Sequence, residues 1–500
     1  THVSTTLQAD DFSLSGYFDL RPHTLTSEIH SYLHPDQKLL IFSDIRNVTI
    51  QADPANRGRP IDSTEISRLY NVRGGDTGRP AITVKEHGLG TACYFVFNVP
   101  KTIWVLHQGR PILSDYDGDG YFRTSDLIVI GENEPEVLYA DEILFLLQNM
   151  IGQRKQPFIH QIPPLGNKIP DALFHWGGDD EGVPGDQLWA SNWMQSRGLP
   201  YHVNVMPNKN GEFCLSVEEA KAIEANGHEV SLHINFIHGY EHPLRLKESD
   251  IKKQTEAFRT KYGNYPGCVV CHYSLWTDWE KPAEWMLASG ICADNSFCHV
   301  GFPPINPINL LGFSFGTSYP FHIYDDYEGG NKRIDFLEMP HTAYEVGYTR
   351  TDYTTDFPRI YKVVDMAAKY HLTMNMFYHT VQIRGYPACR AAIDEFLNYI
   401  KQKGIIAIHM GNEELCRWWK ERSKSMVSNL SITDEGITFI ATCNYADGMI
   451  LKIPLGEAHA SSVKCDCSET TFQNIRDFGQ NWVYLISPSG RHKIEVEVQK

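Results

Sequence analysis

No run of 18 consecutive apolar residues occurs in the 500-residue chain, so no segment reads as a membrane-spanning helix. Basic residues are in deficit: 45 Lys and Arg stand against 61 Asp and Glu, a formal net charge of -16. Such a chain repels a phosphate backbone and an anionic lipid surface, which argues against a nucleic-acid partner and against docking on acidic membranes. Cysteine is sparse and odd in number, 11 in all, so the dense, even framework of a small disulfide scaffold is absent. Internal repeats and low-complexity tracts are absent too. The remainder is ordinary: 42% hydrophobic and 21% charged residues belong to a folded chain rather than a disordered one. At about 100–200 residues per domain, the length predicts two to four domains.

Cys268 and Cys271 form a C-x-x-C, and Cys465 and Cys467 a C-x-C. A zinc ribbon needs two pairs at matched spacing, and these lie far apart. They read as buried thiols with at most one local disulfide. Asn47 and Asn429 open glycosylation sequons.

Three regions separate by pattern. Residues 1–165 mix polar stretches with short apolar runs at 38–42, 93–97, 102–106 and 127–130, then an amphipathic helix over 139–151. Four prolines in 153–170 predict a linker. Over 166–425, strand-like runs at 172–176, 201–206, 228–234, 268–273, 291–295, 336–339, 372–378 and 405–409 alternate with helical stretches. Ser216 caps one of these helices. Sustained alternation predicts an α/β fold, a (β/α) barrel or an open sheet. Residues 426–500 carry only short strand-like runs spaced by turn residues, the pattern of a small β-sandwich.

In a (β/α) barrel the chemistry sits at the C-terminal ends of the strands. Here those ends carry Gly177-Gly178-Asp179-Asp180-Glu181, then His233 followed by His238 and His242, then His272, Asp294, His341, His379 and His409. A structural barrel needs none of them. One Asp and two His suit a divalent metal with open positions. A second Asp can act as base on water, and a separate His can protonate a leaving group. Together these parts describe metal-assisted hydrolysis of an acyl group. Trp276, Trp418 and Trp419 read as core side chains, with sugar stacking as the other use.

Gly178-Asp179-Asp180, the run from Gly227-His228-Glu229 to His233 with His238, and Phe377-Tyr378-His379-Thr380 resemble motifs of the polysaccharide deacetylases, the NodB homology domain of carbohydrate esterase family 4. The resemblance spans about residues 168–424. It implies a distorted (β/α) barrel that binds one divalent metal, zinc, and removes an N-acetyl group from a carbohydrate. It implies Asp179 as catalytic base, and Asp180, His233 and His238 as metal ligands. The spacing from His233 to His238 is five residues where the family has four, which leaves His242 a rival. It implies His379 as general acid oriented by Asp294, with His272, Trp276 and His409 toward substrate. Where the family's third motif carries an Arg, this chain has Val269-Val270-Cys271-His272-Tyr273. That departure keeps open a barrel that binds carbohydrate without turning it over. An activity of this kind places the chain outside the cytoplasm, secreted or periplasmic.

The run Asp115-Tyr116-Asp117-Gly118-Asp119-Gly120, ending at Asp126, matches the EF-hand loop pattern with Asp for the final Glu. It predicts a structural calcium site using Asp115, Asp117, Asp119, the Tyr121 carbonyl and Asp126, against the reading of a solvated acidic turn. The first region resembles the glutamine-amidotransferase-like domains that precede some deacetylase domains. Cys93 lies in a strand-like run without flanking glycines, which implies a non-catalytic α/β domain.

Overall fold

The computed structural model describes residues 26–30, 38–42, 64–70, 76–88, 90–95 and 99–499, except 129–137, 236–244, 299–310, 326–329, 349–353 and 478. His238, His242, Asn47 and the end of the apolar run at 127–130 lie outside the described residues.

Ten strands make the central sheet: β1 (Ala172–Asp179), β2 (His202–Val205), β3 (Glu229–Ile234), β4 (Cys268–Cys271), β5 (Ala293–Asp294), β6 (Phe321–Tyr324), β7 (Arg333–Glu338), β8 (Ala343–Tyr344), β9 (Thr373–Phe377) and β10 (Ala407–Met410). Their order is β6-β7-β5-β4-β3-β2-β1-β9-β8, with β10 also beside β1. All pairings are parallel except β6 with β7. Parallel order puts the C-terminal ends of the nine strands other than β6 on one rim, so the residues that follow them gather there. The sheet curls into an incomplete barrel that ends in β6 and β8. β1 is buried at all its positions, as a strand covered on both faces must be. The helices between the strands start where the sequence says: Ser216 caps Val217–Ala225 and exchanges hydrogen bonds with Glu219 in a capping box.

β1 has two neighbours on one edge. Its first half pairs with β10 and its end with β2. Glu229 holds that junction. Its carboxylate takes the backbone N–H groups of Glu413 and Glu414 at the start of helix Asn412–Lys424, at 2.9 and 3.0 Å, and lies 2.7 Å from His202 Nδ1. A carboxylate at a helix N-terminus satisfies donors that the helix cannot.

The flanking regions are tied to this sheet. Two antiparallel sheets follow it, of five and four strands. The fourth strand of the smaller sheet is Phe158–Ile159, from the segment predicted as a linker. Arg422 donates to the carbonyls of His160 and Ile159, and Trp418 to that of Gln161. The segment is therefore a strap between the last barrel helix and the C-terminal sheets. In the first region every described strand pairing is antiparallel, in Thr26–His30 with Lys38–Phe42 and in Thr64–Tyr70, Asp76–His87 and Gly90–Phe95. The parallel crossovers of the expected α/β domain do not occur among the described residues. The helices Val99–Gln108 and Tyr139–Ile151 pack onto the barrel: Trp279 donates to the Gln108 carbonyl at 3.0 Å, and Thr317 to Asp141 at 2.6 Å. No disulfide is present among the described residues.

Gly178 fixes how closely β1 and the end of β9 approach. A Cβ there would collide with the Tyr378 carbonyl and the Tyr201 hydroxyl, which hydrogen-bond each other. Gly178→Ala should destabilise the chain by about 1–3 kcal/mol, because the clash is with backbone that cannot move aside. Thermal and urea unfolding check this; wild-type stability would contradict it.

Candidate active site

The site begins where β1 ends. Asp179 is buried, accepts from Asn204 Nδ2 at 3.0 Å, and has Oδ2 3.3 Å from His233 Nε2 at the end of β3. Burial pushes its carboxyl well above the usual range. His233 Nδ1 faces the Val270 carbonyl at 3.2 Å, which requires the proton on Nδ1. Nε2 is then a lone pair aimed at a carboxylate oxygen. Two such electron pairs need a proton or a cation between them, and a backbone-anchored His of this kind is the usual form of a metal ligand.

Asp180, expected to share that cation, is placed elsewhere. Its oxygens accept from the N–H groups of Gly182 and Met206 and from Gln187 Nε2, at 2.9–3.0 Å, with Cys214 Sγ at 3.7 Å. It closes the turn instead of facing His233. The carboxylate that enters the cleft is Glu181, to which the sequence reading gave no role. Its φ of 52° is a left-handed conformation that costs a non-glycine residue energy and reverses the chain between Asp180 and Gly182. Glu181 reaches His379 Nε2 at 3.1 Å and His272 Nε2 at 3.5 Å. Burial opposes its charge, but the hydrogen bonds from those two imidazoles outweigh it and hold the carboxyl far below its ordinary range.

His379 follows β9. Its Nδ1 lies 2.7 Å from Glu345, which is fully buried and also left-handed, with φ 45°. Burial opposes the charged ring, yet Glu345 and Glu181 push its pKa up to about 10. Asp294 was expected to hold this His. It sits on β5, at the far side of the sheet order, where Ser296 donates to it from N and Oγ and its register partner is Glu338. Burial raises both of those carboxyls, Asp294 to about 7.

The other expected residues separate. His272 lines the cleft. Trp276 does not: it is fully buried, donates to the Trp279 carbonyl at 2.7 Å and packs edge-on against Phe297. His409 lies opposite Phe174, early in β1, accepts from Trp176 Nε1 at 3.1 Å, and is not among the residues that line the cleft. In the acidic loop, Asp115, Asp117 and Asp126 bring oxygens within 4.8 Å of one another, while Asp119 turns to Arg123 at 3.0 Å. Tyr121 donates its N–H to Asp119.

Two donor sets fit a cation at the rim. Glu181, His233 and His272 bring one ligand atom each within 4.8 Å, as do Asp179, Glu181 and His379. They open on a cleft of about 730 Å³, lined by His341, Tyr344, Phe377, Tyr121, Arg123 and Tyr273 among others. That size suits a small-molecule site.

The His379 pairing gives a test with a definite sign. The ring's pKa is higher in the fold than its unfolded value near 6.5, so its contribution to stability is full below about 6.5 and is lost as pH climbs through about 10. Glu345→Gln removes one carboxylate and should lower the His379 titration by about 1–3 pH units, bringing the alkaline loss of stability to lower pH. NMR titration of the chelator-treated protein reads this; an unmoved His379 would refute the role given to Glu345.

No family model and no curated protein matches the chain. Solved structures do. A polysaccharide deacetylase candidate from Mycobacterium smegmatis is 12% identical with a TM-score of 0.37, covering 53% of this chain and 96% of that one. A family 4 carbohydrate esterase from Streptomyces lividans, in complex with acetate, is 11% identical with a TM-score of 0.27, covering 48% and 93%. A peptidoglycan deacetylase from Bacillus subtilis is 14% identical with a TM-score of 0.28, covering 51% and 95%.

Proposed function

We propose that the chain is a metal-dependent hydrolase that removes an N-acetyl group from a carbohydrate, acting on a C–N bond other than a peptide bond. The observation that carries this reading is the convergence of Asp179, Glu181, His272 and His379 on one cleft at the C-terminal rim of the sheet, with His233 within ligand distance of Glu181 and His272 behind its lining. Glu181, His233 and His272 would hold a divalent metal, zinc by the nitrogen–oxygen donor set. When bound, such a metal polarises an acyl carbonyl and eases the deprotonation of water.

The chain's own groups do the proton work. Asp179, oriented by Asn204, takes the proton of the attacking water. His379 stays protonated through neutral pH because Glu345 and Glu181 flank its two nitrogens, and it donates from Nε2 to the departing amine. The buried floor of the cleft keeps bulk water from competing for these contacts. In the first region Cys93 is exposed on a strand. A glycan substrate of this class fits a secreted or periplasmic chain.

The missing third-motif Arg, with His272 in the cleft instead, favours one second reading, a barrel that binds glycan without turnover. Acetate release from N-acetylated oligosaccharides separates the two. The metal-loaded wild type should release acetate, and Asp179→Asn should lose about 10²-fold or more. Unchanged turnover in that variant would remove Asp179 from the mechanism, and binding without release by the wild type would establish the second reading.

A further inference from the structure

We propose that the acidic loop of the first region, 115–126, is a substrate-recognition wall, on which Tyr121 and Tyr273 receive the face of a sugar unit of a neutral N-acetylated glycan. The proposal rests on the reading of the cleft as a glycan site and adds to it a surface from outside the barrel.

The loop is fastened to the barrel rim beside His272. Arg123 and Leu275 form an antiparallel bridge, Trp276 N donates to the Phe122 carbonyl at 3.0 Å, and Thr124 Oγ1 donates to the Ser296 carbonyl at 3.1 Å. Asp119, Tyr121 and Arg123 of the loop line the same cleft as Asp179, Glu181 and His379. Arg123 and Asp119 are 3.0 Å apart, with side chains only 4% and 9% exposed. A buried ion pair is a poor source of stability, so its use here is positional. The guanidinium lies 4.3 Å from the Tyr121 ring centroid and 5.1 Å from that of Tyr273, and the rings are 5.8 Å apart. One cation thus orients two aromatic rings at once.

Tyr273 is the exposed member, at 39%, and its φ of 61° is an outlier for a bulky residue. A large aromatic side chain held at strain on a cleft rim is a feature of ligand sites. Tyr344 and Phe377, which line the same cleft, stack at 5.3 Å and 11°. Aromatic faces receive the C–H faces of pyranose rings, and tyrosine hydroxyls hydrogen-bond the sugar hydroxyls. The charge pattern selects the glycan. Asp119 balances Arg123, and Asp115, Asp117 and Asp126 leave the loop net acidic, which disfavours a polyanion. The wall therefore favours neutral oligosaccharides over uronate-bearing ones.

The experiment compares metal-loaded wild type with Tyr121→Ala, Tyr273→Ala and the two Phe variants of the full chain. Acetate release from an N-acetylglucosamine tetramer gives kcat and KM, and calorimetric titration of the same tetramer into Asp179→Asn backgrounds gives Kd. Each Ala variant should raise KM and Kd by about 3- to 10-fold with kcat little altered, and Phe should restore most of the loss. A uronate-bearing oligosaccharide should bind more weakly than the tetramer. Unaltered KM and Kd in both Ala variants would overturn the wall while leaving the hydrolase intact. Tetramer binding that the Ala variants weaken, with no acetate released by any form, would keep the wall and overturn the hydrolase. No binding and no release by wild type would overturn both. If an Ala variant fails to fold, tetramer-induced shifts of the Tyr121 and Tyr273 ring signals in the wild type decide, and their absence counts against the wall.

Discussion

The site depends on one contact made possible by a missing side chain. At Gly178 the end of β1 lies against the Tyr378 carbonyl, where no Cβ fits. Tyr378 N also donates to the Gly177 carbonyl at 2.9 Å, and Thr380 Oγ1 to that of Asp179 at 3.4 Å. These bonds lock the residue after Gly178 beside the residue after Tyr378, which are Asp179 and His379. The two proton-transfer groups of the proposed mechanism are neighbours because the backbones that carry them touch.

Around that contact, charge is arranged in alternation. Asp179 faces His233, Glu181 faces His272 and His379, and Glu345 faces His379. Burying any one of these groups alone would be costly, and burying them as facing pairs lowers the cost. The same alternation sorts their protonation. His379, between two carboxylates, keeps its proton, while His233, buried and near the His272 ring, is held neutral with a lone pair at Nε2. The proposed acid and the proposed metal ligand thus differ in protonation by placement alone, though both are histidines.

Much of this was legible in the sequence, for a physical reason. Strand-then-polar punctuation survives in single-chain patterns, so eight of the ten strands of the central sheet (Phe321–Tyr324 and Ala343–Tyr344 were missed), with Asp179, His233, His272 and His379 at or after their ends, could be read directly. Which side chains turn inward could not. Asp180 and Glu181 are adjacent carboxylates, and only the left-handed backbone at Glu181 decides that Asp180 faces the turn and Glu181 the cleft. Glu345 follows a two-residue strand with no apolar run before it, whereas Asp294, on a strand equally short, follows the apolar run at 291–293, so Asp294 took its place in the reading. Phe158–Ile159 is a strand only because a distant sheet edge pairs with it. The loop at 115–126 read as a structural calcium loop, and its place on the cleft depends on a long-range bridge to Leu275.

The central claim is that the carboxylate–imidazole cluster at the strand ends holds one divalent metal. Metal content by elemental analysis, with X-ray absorption on the same sample, tests it most directly. The account predicts about one zinc-type ion per chain with nitrogen and oxygen ligands, at least two of them imidazole, and its loss in His233→Ala. A chain that purifies and reconstitutes without metal, or one whose ion is ringed by sulfur, would contradict it.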